Sequence, residues 1–111
     1  MTRLDVSTNK YRAKRTWSTL CGIFFASKRE AEYGDGLFLT QKAGEINELQ
    51  FHRKFRLCDK PKVVIEVDFC FRDSKDGQWK YQDCKGKETR EYRVKRLWLK
   101  EKLGIEVQLI R

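Results

Sequence analysis

Asp68, Asp83 and Lys85 have the residue types needed to hydrolyse a phosphodiester. That reaction requires a nucleophilic water, neutralisation of charge at the phosphorus and help for the departing oxygen. A hard divalent cation supplies the first two and prefers oxygen ligands. Asp68, Asp83 and the backbone carbonyl of Cys84 offer such ligands, so magnesium is the expected ion, with manganese able to substitute. Lys85 beside them can orient the water or stabilise the developing negative charge. The chemistry needs no histidine, and the only one in the chain, His52, reads as a strand residue near phosphate or solvent rather than a ligand.

The elements around these residues decide whether they can meet. Lys62 to Arg72 predicts a strand, with Val63, Ile65, Val67, Phe69 and Phe71 on one face and Val64, Glu66, Asp68 and Cys70 on the other. Ser74-Lys75-Asp76-Gly77 predicts a turn into a strand from Gln78 to Lys85. A two-residue Asp76-Gly77 loop sets Asp68 opposite Lys85, whereas a four-residue loop from Ser74 to Gly77 sets it opposite Asp83. Either register gathers the three residues on one face, at cross-strand separations of about 5–8 Å. A three-residue loop would send Asp68 to the other face unless a bulge restored it. The competing reading is an exposed Asp68–Lys85 ion pair, which contributes about 0–1 kcal/mol. Against it stands the position of Asp68 inside the most apolar strand of the chain.

Elsewhere, Trp17 to Phe25 predicts a strand. Ser27 and Glu30 form a capping box that opens a helix to about Ala43, kinked or broken at Gly34-Asp35-Gly36 and stopped by Gly44. Leu49 to Leu57 predicts a strand with Phe51 and Phe55 on one face, Glu88 to Leu103 a second helix stopped by Gly104, and Ile105 to Ile110 a closing strand. Strand, helix, three strands, helix, strand is the order of an α/β layer fold. Residues 1–16 read as a basic arm and 17–111 as one domain.

The chain of 111 residues carries a net charge of +9, and from residue 74 onward eleven basic residues face six acidic ones. That balance points to a polyanionic partner, DNA above all. On the second helix Arg93, Arg96 and Lys100, with Lys87, Arg90 and Lys95 nearby, form either a phosphate-tracking surface or an ordinary solvated face. Tyr92, Leu99 and Leu103, and likewise Val94, Leu97 and Trp98, read as core. Cys21, Cys58, Cys70 and Cys84 include no CxxC pair, which predicts reduced thiols rather than zinc ligands, with Cys84 buried and inert. No apolar run approaches the roughly 20 residues of a membrane span and no apolar segment follows Met1, so a cytoplasmic protein is expected.

The string Asp68-(x14)-Asp83-Cys84-Lys85-Gly86 resembles the split signature of PD-(D/E)xK nucleases, and the wider chain resembles a small phage and prophage family within that superfamily. The matching pieces run in order from Lys10-Tyr11, through Gly22-Ile23, Ser27-Lys28, Glu30-Ala31-Glu32, Ala43-Gly44-Glu45-Ile46, Leu49-Gln50 and Lys54-Phe55, to Tyr92-Arg93, Lys95 and Gly104-Ile105-Glu106. The resemblance implies an α-β-β-β-α-β nuclease core with an extra N-terminal strand. It implies Asp68 and Asp83 as metal ligands, Lys85 as catalytic lysine and Glu30 as an acid from the first helix. As the third residue of a capping box, Glu30 is equally suited to bonding the Ser27 backbone N–H. Gln50 projects either toward the same cleft or from a strand edge. The implied activity is a magnesium-dependent endodeoxyribonuclease for branched DNA, such as a Holliday junction resolvase acting in phage DNA recombination.

Two departures weigh on that reading. Gln82 stands where relatives often carry an acid, which lowers the expected metal affinity, and Gly34-Asp35-Gly36 replaces a more helix-favouring stretch. The competing class is a non-enzymatic, basic nucleic-acid-binding module. Junction resolution would also call for a two-fold homodimer, with Trp17 to Phe25 as its interface unless that segment completes the chain's own sheet.

Overall fold

The most apolar stretch of the chain becomes the strand around which the larger of two units is built. The structure is a computed structural model that describes residues 14–111. The basic arm expected at the N-terminus lies, through residue 13, outside the described residues. The elements are β1 (Thr16–Ser18), β2 (Ile23–Phe25), α1 (Lys28–Lys42), β3 (Ile46–Cys58), β4 (Val63–Asp73), β5 (Trp79–Cys84), α2 (Arg90–Leu103) and β6 (Val107–Ile110). The fold is of the α/β class, with a mixed sheet and two helices. The chain divides into units of residues Met1–Leu39 and Thr40–Arg111.

In the larger unit the sheet order is β3-β4-β5-β6. The first two pairings are antiparallel hairpin connections, and β6 runs parallel to β5 after the crossover through α2. Residues Val67 to Phe71 of β4 are all buried, so the alternation expected along this strand gives way to burial on both faces. Phe55, Leu57, Ile65, Val67, Leu99 and Val107 make up most of the core of this unit.

The β4–β5 turn closes with Asp73 N–H donating to Gln78 O at 2.9 Å and Gly77 N–H to Asp73 O at 2.8 Å. Gly77 takes a φ of 70°, which favours glycine. The loop is therefore the four-residue one, Ser74 to Gly77, and Phe69 pairs with Gln82.

Helix α2 starts two residues later than expected. Thr89 is its N-cap, with Oγ1 accepting the Tyr92 N–H at 3.1 Å, and Gly104 ends it in the left-handed region with its N–H on Lys100 O. The inward stripe holds Tyr92, Lys95, Arg96 and the fully buried Leu99. At 3.6 residues per turn, Val94, Leu97 and Trp98 fall on the opposite side, so they are exposed rather than core. Leu103, the last helical residue, has no further turn to shelter it and is also exposed.

In the smaller unit, Trp17 to Phe25 is a hairpin with its own two-stranded sheet, not one strand. Gly22, at a φ of 73°, makes the turn and donates its N–H to Ser18 O at 2.8 Å. Of the kink or break expected at Gly34-Asp35-Gly36, the break does not occur: helix α1 runs continuously through these residues. Asp35 Oδ1 accepts the Ser18 hydroxyl at 2.6 Å, and Ser18 Oγ accepts the Cys21 N–H at 2.9 Å. These bonds and the burial of Gly34 offset the poor helix propensity of the two glycines. The helix ends in a Schellman motif, with Gly44 N–H on Gln41 O and Glu45 N–H on Thr40 O. Among the described residues no helix is long and apolar enough to cross a membrane.

Candidate functional site

One residue beyond the Phe69–Gln82 pair, two carboxylates replace the backbone ladder between β4 and β5. Asp83 Oδ1 accepts the Asp68 N–H at 2.5 Å, and Asp68 Oδ2 accepts the Cys84 N–H at 3.0 Å. Each acid thus holds the neighbouring strand's backbone. Asp83 is 0 % exposed and Asp68 8 %. Such burial is inconsistent with the exposed cross-strand ion pair weighed above. The register that forms brings Asp68 next to Asp83 instead.

Tyr92, in the first turn of α2, donates its hydroxyl to Asp83 Oδ2. Burial, then the hydrogen bond and the charge of Asp83, push the Tyr92 phenol far above its ordinary pKa. The Lys85 ammonium lies 4.6 Å from the centroid of the Tyr92 ring. Among the described residues Lys85 forms no ion pair with either acid. It faces a cavity of about 350 Å³ lined also by Glu66, Thr89, Tyr92 and Lys95. Asp68, Asp83 and Lys85 are therefore gathered around Tyr92, a residue that sequence reasoning placed only in the core. Its signal was available: a tyrosine at the third helical position after a D-x-K strand end, fixed in place by the Thr89 cap.

His52 is the second residue missed. The pairs Phe51–Phe69 and Arg53–Val67 set it across from Asp68, and a ring nitrogen lies within 4.8 Å of an Asp68 carboxylate oxygen. His52 has a φ of 53°, a left-handed conformation inside a strand that a non-glycine residue adopts at a cost of about 1–3 kcal/mol. Finding it from sequence required the β3–β4 register, which no local motif announces.

The Asp68 carboxylate and the His52 imidazole are donors close enough that they could hold a metal ion. Asp83 keeps lone pairs beyond the two used by its N–H and O–H donors, since a carboxylate has about four acceptor positions. Hydrogen-bonded carboxylates are ordinary metal ligands. The Cys84 residue lies at the end of β5, half-buried rather than fully buried as expected.

The other expected residues divide. Glu30, in the smaller unit, is 5 % exposed, and its N–H donates to Ser27 Oγ at 3.1 Å, the first half of the capping box. Gln50 is exposed on β3 and accepts from Arg53 at 3.3 Å. Gln82 is buried with its amide donating to Gln108 Oε1 at 3.0 Å, so its side chain ties β5 to β6.

Just before α2, Glu88 accepts from Arg96 at 2.7 Å and from Arg93 at 3.4 Å. The Arg96 hydrogen bond, more than any other contact, holds the Glu88 carboxyl below its ordinary pKa. Lys95 pairs with Glu91 at 3.3 Å and Lys100 with Glu106 at 3.7 Å. Lys87 and Arg90 are exposed and have no ion pair among the described residues. Cys70 is fully buried, and burial above all pushes its thiol up to about 11.

A family model described as "Protein of unknown function (DUF1064)" matches residues 8–110. No curated protein and no solved structure matches the chain.

Proposed function

Within the DUF1064 family, to which this chain belongs, we propose that the protein is a metal-dependent endonuclease of the PD-(D/E)xK type acting on DNA. The observation that carries the reading is the reciprocal bonding of Asp68 and Asp83, which buries two acids side by side at the end of one strand pair. Burying like charges is costly without a compensating cation, and among the described residues no lysine or arginine is ion-paired to Asp83. A bound magnesium or manganese ion offsets that cost.

Asp68, Asp83 and the Cys84 carbonyl are the proposed oxygen ligands. When bound, the ion supplies charge neutralisation at the phosphate and polarises the attacking water. Tyr92 orients Asp83 through its hydroxyl. Lys85 carries a positive charge on the same face and stabilises the negative charge that develops on the phosphate. The assignment of Glu30 to the same chemistry rests on the sequence resemblance. That resemblance also supports branched DNA as substrate and phage DNA processing as the setting.

One observation favours a second reading, a binding module without catalysis. Both Asp83 oxygens already accept protein hydrogen bonds, which would suit a purely structural acid. Cleavage of branched and linear DNA with magnesium, manganese or EDTA separates the two. The nuclease reading expects cleavage with either metal, none in EDTA, and loss of cleavage with retained binding in Asp83→Asn. Binding without cleavage under any metal would establish the second reading.

A further inference from the structure

The β1–β2 hairpin presents a feature that the metal site does not use. Trp17 and Phe24 are direct cross-strand partners, and their rings meet edge to face with centroids 5.0 Å apart. Ser18 and Phe25 alternate to the other side and are buried, so the aromatic pair faces outward, 53 % and 46 % exposed. Leu20 at the turn is 44 % exposed. The Arg15 guanidinium lies 4.5 Å from the Phe24 ring centroid, and among the described residues its N–H donors have no acceptor.

We propose that this hairpin is a stacking platform for unpaired nucleotides, with Trp17 taking a base and Arg15 an adjacent phosphate. Single-stranded nucleic acid is bound by just this combination of open aromatic faces and neighbouring cations. Charge decides between this occupant and a second copy of the chain. From Lys14 to Arg29 there are four basic residues and no acidic one. A two-fold contact places a surface on itself, so the same cations would face each other, whereas a polyanion neutralises them. The proposal goes beyond the nuclease reading and does not rest on it.

Binding of labelled oligothymidylate and of a blunt duplex to the full chain, both in EDTA, tests it. Trp17→Ala should weaken oligothymidylate binding by about five- to 140-fold, the equivalent of one stacked base, and leave duplex binding within about twofold. Trp17→Phe should keep most of the affinity while abolishing part of the tryptophan quenching on binding, which also controls for folding. Arg15→Gln should lower the salt slope on single strands by about 0.7. Because both measurements are made in EDTA, failure of the metal reading leaves this test intact. Unchanged oligothymidylate affinity in Trp17→Ala, or an equal loss for duplex, would overturn the proposal. So would a parent dimer that Trp17→Ala converts to monomer, which assigns the face to a second copy. Trp17-dependent binding to phosphatidylserine-containing vesicles without an effect on single strands would overturn it in favour of a lipid surface.

Discussion

The hydroxyl of Tyr92 donates to the carboxylate of Asp83, linking the first turn of α2 to the end of β5. Asp83 in turn accepts the backbone N–H of Asp68, so one acid fixes a helix and two strands at the point where they converge. Removing the hydroxyl leaves a fully buried carboxylate one donor short. Tyr92→Phe should lower stability by about 1–3 kcal/mol, measured by urea denaturation. If Asp83 holds a metal, the same variant should weaken manganese binding by about 10–100-fold. Stability and metal affinity both equal to the parent's would show that this hydrogen bond orients nothing.

Alkaline pH tests the same contact. Tyr92 and Tyr81 are both raised by burial, and Cys70 is pushed up to about 11 by the same cause. A group whose folded pKa is raised contributes stability that is fully present below its unfolded pKa, about 8.5 for Cys and 10 for Tyr. The unfolded chain releases those protons first, so stability should fall as pH climbs from about 8.5 upward. Urea midpoints across that range check the sign. Tyr92→Phe should flatten the part of the decline above about pH 10, and Cys70 should react with a thiol reagent only on unfolding. A stability that rises through this window would contradict the burial of these groups.

Much of the frame was legible because it rests on local signals. The caps at Ser27, Gly44 and Gly104, the apolar period of β4 and the Asp76-Gly77 turn all act within a few residues. The register of Asp68 was legible only as a choice, because Asp76-Gly77 suits a two-residue loop as well as a four-residue one. Backbone bonds between Asp73, Gly77 and Gln78 select the longer loop. What escaped depends on contacts between distant residues. The unbroken α1 follows from Ser18 meeting Asp35, and the outward Val94, Leu97 and Trp98 follow from which stripe of α2 the sheet accepts. His52 opposite Asp68 follows from a β3–β4 pairing that neither strand encodes alone.

His52 should matter to metal binding. Its ring faces Asp68 and its backbone is held in a left-handed conformation. Calorimetric titration with manganese should show His52→Ala and Asp68→Asn each binding more weakly than the parent, by at least the roughly 10–100-fold that loss of an outer-shell partner costs. Glu30→Gln, titrated alongside, separates the two roles of that residue: a cap alone leaves manganese affinity unchanged. Parent-like affinity in both His52→Ala and Asp68→Asn would remove Asp68 from the proposed ligand set and leave His52 no part in metal binding.

The basic residues of α2 should contribute unequally to DNA binding. Arg93 and Arg96 share Glu88 at 3.4 and 2.7 Å, so a phosphate reaching either must compete with a carboxylate already in place. Lys87 and Arg90 are exposed ahead of or within the first turn, with no acid paired to them among the described residues. A phosphate contact releases counterions and adds about 0.9 to the slope of log affinity against log salt on duplex DNA. Neutralising Lys87 and Arg90 together should therefore reduce the slope by up to about 1.8, whereas Arg93→Gln with Arg96→Gln should reduce it less and also free the Glu88 charge. Filter binding or anisotropy at several salt concentrations reads both slopes. A larger drop for the Arg93 and Arg96 pair would mean that DNA displaces Glu88 and that this face of the helix, rather than its start, tracks the backbone.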